Sequence, residues 1–355
     1  MVTLRSLIGT FASLSLLLAL ALSPAFAQPV FDAPGLERAI EAQERHTNDL
    51  LGIQGVVGTA VGLGANGQAV VKIYTERSGV AGLPRSLDGV PVRVQVTGRI
   101  FALDKPIGGF HDHGNGEEDP TDGCTSTTGR FRPACIGIST GHPNITAGTI
   151  GARVMDGTNV YALSNNHVYA DENIASIGDN VLQPGTYDGG DPNVDDDVIG
   201  TLAAFVEILF IDGDVIPENK VDAAIALSST VDLDKATPPD GYGTPKSAPA
   251  LLVENDMPVQ KYGRTTSLTK GTIKGINVTI NVGYDKGVAR FVGQIEVRSN
   301  KGPFIKGGDS GSLLVTDPDR NPVGLLFAGN LNGKTAFANP IGAVLEAFGV
   351  TIDGE

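Results

Sequence analysis

The sequence predicts a mainly β protein that is preceded by a small α+β module. Glycine is abundant, at 47 of 355 residues, with 21 prolines and no tryptophan, a composition that favours short strands and turns over long helices. From residue 131 onward the chain is a series of short apolar runs separated by Gly, Pro and Asp, which is typical of a β-barrel or sandwich. The clearest runs are 149–154, 198–202, 271–273 and 291–297, and in this part of the chain a helix is predicted only near the end, around Ile341 to Phe348.

The first 27 residues have the pattern of a cleaved export signal. Arg5 supplies a positive start, a leucine-rich run follows, and the Ala-Phe-Ala at 25–27 is a small-x-small cleavage site. We therefore expect a mature chain that begins at Gln28 and is secreted or periplasmic. An uncleaved membrane anchor is the alternative, and Pro24 together with the cleavage site argues against it.

Residues 28–103 predict a compact α+β unit. Pro34 and Gly35 precede a helical stretch that has apolar positions on one face and charged positions on the other. The segment from Ala69 to Thr75 predicts a strand. From Val90 to Val96 every second residue is valine, which predicts a strand with one buried face. The unit has no catalytic motif.

Residues 104–130 predict a flexible, acidic linker because Gly, Pro and charged residues dominate them. The His-Asp-His run at 111–113 offers two metal ligands, but in a flexible linker solvated side chains are expected and no metal site is predicted. The only two cysteines, Cys124 and Cys135, are expected to form a disulfide in an oxidising compartment. A cysteine nucleophile is the alternative, but neither cysteine has an adjacent His or a recognisable motif.

The formal charge of −14 argues against nucleic acid as a partner, because an acidic surface repels phosphate backbones. Nor is a membrane partner expected once the signal is removed, since no later stretch is long and apolar enough to span a bilayer. The acidic loop 188–197 contains several carboxylates that could coordinate calcium. It lacks the glycine and ligand spacing of an EF-hand, so a solvated loop is the prediction.

Three short motifs together predict a hydrolytic site. An apolar strand ends in a polar turn that presents His167. Asp222 opens a small apolar strand, where a carboxylate is costly unless it is hydrogen-bonded. Ser310 lies in a glycine-rich turn just before another apolar strand.

The three residue types suit nucleophilic catalysis. A serine hydroxyl needs a base within hydrogen-bond reach, an imidazole can take and return its proton, and a carboxylate on the other ring nitrogen fixes the tautomer. The main-chain N–H groups of Gly308 and Ser310 are predicted to stabilise the developing oxyanion. This chemistry requires no cofactor.

At these residues the chain resembles the trypsin/chymotrypsin superfamily of serine proteases. The Gly-Asp-Ser-Gly turn at 308–311 is similar to the family's nucleophile motif, and the order His, Asp, Ser is that of chymotrypsin. The resemblance covers residues 131–355 and implies a chymotrypsin-like double β-barrel, with His and Asp in the first barrel and Ser in the second. The absence of a cysteine after His167 and the presence of Ser312 in place of a second glycine indicate a divergent bacterial branch.

The resemblance also implies supporting residues and a role for the N-terminal unit. The Gly-Arg-Thr-Thr segment at 263–266 is similar to that of bacterial members, in which a basic side chain can hold the aspartate before the nucleophile. Lys261 or Arg264 is therefore expected to neutralise Asp309. Since exported relatives often carry a pro-region, residues 28–103 are expected to be one, which would make the precursor a zymogen.

The substrate pocket is predicted by alignment from Ser310. Its base falls near Phe304, and the strand at Phe327, Ala328 and Gly329 resembles the one that pairs with substrate backbone. No acidic residue lies at the base, so an apolar or small P1 residue is favoured. The sequence thus predicts an exported serine endopeptidase that acts on protein or peptide substrates. A catalytically silent binding protein on the same fold and an esterase that uses the same triad remain the alternatives.

Overall fold

The structure is a computed structural model that describes residues 33–103, 123–251 and 256–355. The predicted export signal, the His-Asp-His run and most of the predicted linker lie outside the described residues. Strands account for 39% of the structure and helices for 11%, so the predicted mainly β class is confirmed. Within the described ranges, no helix has both the length and the apolar character needed to cross a membrane.

The helices are short and lie mostly at the two ends of the described chain. The α-helices are α1 Leu36–Leu51, α2 Asn166–Tyr169 and α3 Ile341–Phe348, and single 3₁₀ turns lie at Thr186–Asp188 and Asp195–Asp197. The terminal helix begins and ends where the sequence predicted it.

The strands form two large sheets and one small one. In chain order they are β1 Val56–Leu63, β2 Ala69–Thr75, β3 Ser86–Leu87, β4 Val90–Val96, β5 Ile100–Ala102, β6 Ser139–Thr140, β7 Gly148–Thr149, β8 Ala152–Met155, β9 Val160–Ser164, β10 Asn180–Leu182, β11 Val198–Phe205, β12 Glu218–Asn219, β13 Ala224–Ser228, β14 Pro258–Gly263, β15 Ser267–Gly283, β16 Val288–Arg298, β17 Leu313–Thr316, β18 Pro322–Asn330, β19 Thr335–Pro340 and β20 Thr351–Ile352.

Helix α1 packs on β1 and β2 because its apolar residues recur on one face. Leu36, Ala39 and Leu50 are buried there, in a core that also contains residues of β15 and β16. The two predicted strands are present as β2 and β4, with the predicted bounds.

The prediction for the buried face of β4 is only partly correct. Val90 is buried, but Val94 and Val96 are 51% and 54% exposed. The reason is position: β4 lies near the edge of its sheet, with only the two-residue β3 beyond it, and α1 makes few contacts with it. The alternation of valine with other residues predicted the strand itself, whereas the burial of its valines depends on which other elements pack against that face.

The N-terminal unit is continuous with the rest of the protein. Strand β1 pairs antiparallel with β15 through Gly58, Thr59 and Val61, so β1 to β4 extend the sheet that β15 begins. Strand β5 then pairs with both β15 and β18. The predicted α+β unit therefore shares a sheet and a core with the C-terminal part.

A six-stranded sheet in the order β10-β11-β13-β9-β8-β20 forms the first β unit of the C-terminal part. Its core includes Ile136, Ile150, Ala162 and Leu202. Strands β9 and β13 pair antiparallel, with Ser164 opposite Ala224. The end of one strand and the start of the other therefore lie side by side.

The second β unit is a closed barrel of six strands, β14 to β19, in which β15 pairs with both β14 and β16. Between the two units lies a separate apolar cluster, to which the first unit contributes Leu163 and Ile225 and the second contributes Leu313 and Leu325. The two units therefore meet at a packed interface. The turns that carry His167, Asp222 and Ser310 lie beside this interface.

The last residues of the predicted linker differ from the prediction. Cys124 is buried and forms a disulfide with Cys135, as expected, and the main chain of Gly129 accepts a bond from Gln183. Residues 123–130 are thus held against the first β unit, because the disulfide and Gln183 fix them there.

Candidate active site

Strand pairing brings His167 and Asp222 together. His167 lies three residues beyond the end of β9, and Asp222 lies two residues before the start of β13. Because Ser164 and Ala224 are opposite each other, the two side chains leave the same end of the sheet. His167 Nδ1 and Asp222 Oδ2 are 2.6 Å apart, and both side chains are fully buried.

A network of hydrogen bonds holds the Asp222 carboxylate. Tyr284 donates its hydroxyl to Oδ2 at 2.9 Å, and the His167 main-chain N–H donates to Oδ1 at 3.3 Å. The side chain of Asn165 donates to the Asp222 carbonyl at 2.7 Å, and that of Asn339 accepts from its N–H at 3.1 Å. With Nδ1 donating to a buried carboxylate, the imidazole has its tautomer and orientation fixed, and Nε2 is the ring atom that can accept a proton.

Thr149 of β7 connects the histidine turn to the serine turn. Ser164 donates its hydroxyl to the Thr149 carbonyl at 2.8 Å, and Thr149 donates its main-chain N–H to the Ser310 carbonyl at 2.8 Å. The Thr149 hydroxyl donates to the Gly308 carbonyl, also at 2.8 Å. One threonine therefore sets the position of Ser310 relative to the turn that carries His167.

A buried ion pair and several main-chain hydrogen bonds hold the serine turn, residues 308–311, in place. The Asp309 carboxylate accepts bonds from the main-chain N–H groups of Thr265, Thr266 and Lys306, and from the Thr266 hydroxyl at 2.7 Å. The Lys261 ammonium lies 3.6 Å from Asp309, with both side chains fully buried. Burial lowers the pKa of Lys261, and the negative charge of Asp309 opposes that fall.

Arg264 has a different partner from the one considered in the sequence. Its guanidinium forms a buried ion pair with Asp188, with Nε donating at 2.8 Å, and Ser139 donates its hydroxyl to the same carboxylate. Of the two cations considered for Asp309, Lys261 is therefore the one beside it. Asp188 itself corrects the expectation of a solvated acidic loop, since an arginine from the second β unit neutralises it.

The main-chain N–H of Gly308 and the hydroxyl of Ser310 converge on one oxygen atom. Both donate to the carbonyl oxygen of Leu103, at 2.9 Å and 3.2 Å. The Ser310 hydroxyl also lies 3.4 Å from the Phe327 carbonyl. Gly308 has a φ of 93°, and a Cβ there would lie 2.6 Å from Thr265 Oγ1, so glycine is needed to aim this N–H.

The residues predicted for the substrate pocket lie around Leu103. Ala328 and Gly329 are opposite Ala102 and Phe101 in the pairing of β18 with β5. Phe327 and Phe304 are fully buried, and Phe304 belongs to the same apolar core as Leu103. Residues 101–103 of the N-terminal unit therefore lie beside the side chains that the sequence predicted for the pocket.

Sequence reasoning missed four residues of this region. None of the four belongs to a local motif, because each contacts the site through a hydrogen bond to a residue far away in the sequence. They are Leu103, Tyr284, Thr149 and Asn339. Asn165 precedes His167 by two residues, and its side-chain bond to the Asp222 carbonyl gives an asparagine there a structural role.

Two β units that meet at His, Asp and Ser turns, in that chain order, constitute a chymotrypsin-like β fold with a small helix-containing unit at the N-terminus. No family model matches the sequence, and no curated protein matches it either. Among solved structures, the chain is similar to bacterial chymotrypsin-like serine proteases at low sequence identity.

Three of these structures give the scale of the similarity. Thermobifida fusca protease A is 21% identical, with 62% of this chain and 100% of that chain covered and a TM-score of 0.44. A glutamic acid-specific serine protease is 20% identical, with 62% and 100% covered and a TM-score of 0.45. Cellulomonas bogoriensis chymotrypsin is 20% identical, with 62% and 98% covered and a TM-score of 0.41.

Proposed function

We propose that this chain is an exported serine endopeptidase that hydrolyses peptide bonds with His167, Asp222 and Ser310. The observation that carries the proposal is the Leu103 carbonyl, a peptide carbonyl bound at once by the Ser310 hydroxyl and the Gly308 N–H. Acyl transfer requires a carbonyl group beside both the nucleophile and an oxyanion donor, and the Leu103 carbonyl has this placement. For attack, the Ser310 hydroxyl turns from the carbonyl oxygen to His167 Nε2 and Oγ approaches the carbonyl carbon.

In the proposed reaction Ser310 Oγ attacks the substrate carbonyl carbon, and His167 Nε2 takes the hydroxyl proton. His167 then gives that proton to the leaving amine, and a water molecule repeats the two steps to release the acid. The buried Asp222 stabilises the imidazolium that forms in each step, because its carboxylate is 2.6 Å from Nδ1. Tyr284 and the main chain of His167 keep that carboxylate in place.

Oxyanion stabilisation is assigned to the Gly308 N–H together with the Ser310 N–H. Loss of one such donor typically costs about 10²–10³ in rate. The Lys261–Asp309 pair supports this turn, since Asp309 accepts main-chain bonds from both sides of it. In the proposal the ion pair keeps the turn formed without any cleavage of the chain.

Export and a pro-region complete the proposal. The signal-like residues 1–27 and the Cys124–Cys135 disulfide support a secreted or periplasmic location. Residues 28–103 are assigned as a pro-region because Leu103 lies on the nucleophile and blocks the cleft. The precursor is therefore a zymogen in this proposal.

The test is release of dye from labelled casein by the chain that begins at Gln28. Wild type is expected to hydrolyse casein after a lag in which the N-terminal unit is cleaved. Ser310→Ala is expected to lose at least about 10³-fold in rate. Ser176→Ala, which alters an exposed serine of the first β unit, is the matched control and should retain the wild-type rate.

The same assay distinguishes the alternatives. Hydrolysis of p-nitrophenyl esters without hydrolysis of casein would assign the triad to an esterase. A folded wild-type protein that hydrolyses neither substrate would contradict the enzyme proposal and favour a binding protein on this fold.

A further inference from the structure

The segment Ile100–Leu103 lies in the cleft as an additional strand. Ala102 is opposite Ala328, Phe101 is opposite Gly329 and Ile100 is opposite Asn330, and the pairing is antiparallel. An extended peptide that adds to a sheet edge is held by main-chain bonds, while its side chains enter pockets on alternate sides. This strand ends with the Leu103 carbonyl on Ser310 and Gly308.

The side chain of Leu103 is enclosed by apolar groups. A Cβ at Gly329 would lie 3.1 Å from Leu103 Cδ1 and 2.9 Å from Ile305 Cγ2, so both side chains lie against the face of Gly329 that has no side chain. Leu103 is 7% exposed and shares its core with Phe304 and Ile305. A charged side chain at position 103 would lose its hydration, and Gly329, Phe304 and Ile305 have no side-chain polar group that could pair with it.

The preceding residues also occupy defined positions. Ala102 is buried in a cluster that also contains Phe327 and Phe291. Ile100 is buried in the same cluster, whereas Phe101 is partly exposed and lies against Gly283. The four residues thus have the sequence Ile-Phe-Ala-Leu, with the leucine at the reacting position.

We propose that the enzyme cleaves on the carboxyl side of leucine and that its first substrate is its own chain, cut after Leu103. The proposal rests on the proposed peptidase function and adds the specificity of that site. The specificity follows from two observations: the nucleophile and the Gly308 N–H both donate to the carbonyl of Leu103, and the Leu103 side chain is buried against Gly329 in the apolar core that contains Ile305.

The self-cleavage reaction balances with water as the only co-reactant. Ser310 Oγ forms a bond to the Leu103 carbonyl carbon, and its proton passes to His167. The bond to the nitrogen of residue 104 breaks, and that amine leaves with the proton. Water then adds to the acyl carbon, which releases the Leu103 carboxylate and restores the Ser310 hydroxyl.

The first experiment locates the cut. The chain from Gln28 is incubated, and its products are identified by intact mass and N-terminal sequencing. We expect a new N-terminus at Asp104 in wild type and none in Ser310→Ala. Leu103→Lys should slow the cut at least about 100-fold, whereas Leu103→Met, which keeps an apolar side chain of similar volume, should slow it by less than about tenfold.

The second experiment measures specificity without relying on the folding of a variant. Peptide p-nitroanilides that end in Ile-Phe-Ala-Leu, -Lys, -Glu or -Ala are compared with the processed wild-type protein. The kcat/KM for leucine is expected to exceed those for lysine and glutamate by at least about 100-fold. In Gly329→Ala the added methyl narrows the pocket, so the leucine-to-alanine ratio should fall at least about tenfold.

The outcomes separate the two proposals. Casein hydrolysis that depends on Ser310, combined with a cut at another bond or equal rates for leucine and lysine peptides, would overturn the leucine specificity and leave the peptidase function in place. Absence of self-cleavage, of peptide hydrolysis and of casein hydrolysis in a folded protein would overturn both.

Discussion

At the scale of single residues, the bond from His167 to Asp222 is the most constrained contact of the candidate site. Both side chains are fully buried, and the carboxylate accepts two further bonds. A buried carboxylate with three donors is fixed in place, which is what an imidazole needs if it is to remain in one tautomer.

We predict that Asp222→Asn lowers kcat by about 10³–10⁴ without unfolding the protein, because an amide that donates to Nδ1 stabilises the wrong tautomer. The measurement is the steady-state rate on a peptide p-nitroanilide. Tyr284→Phe, which removes one donor to the same carboxylate, is expected to cost less than about 10². Equal rates for Asp222→Asn and wild type would remove Asp222 from the mechanism.

The Lys261–Asp309 pair makes a second prediction at this scale. Lys261→Met would leave Asp309 buried beside no cation and should lower the free energy of unfolding by about 3–5 kcal/mol. Lys270→Met is the control, since it breaks an ion pair with Asp317 in which the lysine is 58% exposed, and should cost less than about 1 kcal/mol. Urea denaturation of both variants, in the Ser310→Ala background, gives the comparison, and equal losses would show that burial of the pair does not matter.

At the scale of elements, a buried charged cluster joins the N-terminal unit to the barrel. Glu296 of β16 pairs with Lys72 of β2 and accepts bonds from Tyr74 and Gln95, each at 2.8 Å. Burial alone would raise the pKa of Glu296, but Lys72 and the hydrogen bonds outweigh it and leave that pKa below its ordinary value of 4.5. A carboxylate with a depressed pKa stabilises the fold above pH 4.5, and this stabilisation is lost as the pH falls below that value.

We therefore predict that Glu296→Gln flattens the acid dependence of stability. In the uncleaved Ser310→Ala chain the thermal midpoint should fall as the pH drops from about 5 to 3, and Glu296→Gln should reduce that slope while lowering the midpoint at neutral pH. Glu76→Gln, in an exposed pair with Arg99, is the control and should leave the slope unchanged. The same slope with and without Glu296 would contradict the assignment.

Sequence patterns predicted the bounds of helices and strands better than they predicted which side chains of those elements are buried. Strand β4 and helix α3 have their predicted bounds, because alternation and helical periodicity are local properties. The exposure of Val94 and Val96 was not predictable, since it depends on the sheet edge. His167 and Asp222 were proposed from motifs, whereas Tyr284 reaches Asp222 through a sequence separation of 62 residues and gives no local signal.

At the scale of the whole molecule, the N-terminal unit and the barrel form one folded body. Strand β1 continues the sheet from β15, α1 shares a core with β15 and β16, and β5 lies between β15 and β18. The sequence predicted a separate unit over residues 28–103, and in the structure strands of that unit share a common sheet with the C-terminal part. A pairing that spans about 200 residues is set by tertiary packing, which no local pattern encodes.

This arrangement has a consequence for the processed protein. After a cut that follows Leu103, the pairing of β1 with β15 and the buried contacts of Glu296 would still hold the N-terminal unit in the cleft. Activity should therefore appear later than the cut itself, when the unit dissociates or is degraded.

The most direct test of the central claim is labelling with a fluorophosphonate, located by tandem mass spectrometry, on the protein freed of residues 28–103. The account predicts one phosphonate adduct, on Ser310, with strongly slowed labelling in Asp222→Asn and in the uncleaved precursor, where Leu103 covers the hydroxyl. An adduct on another residue, or no adduct on the folded wild-type protein, would contradict the assignment of Ser310 as an activated nucleophile.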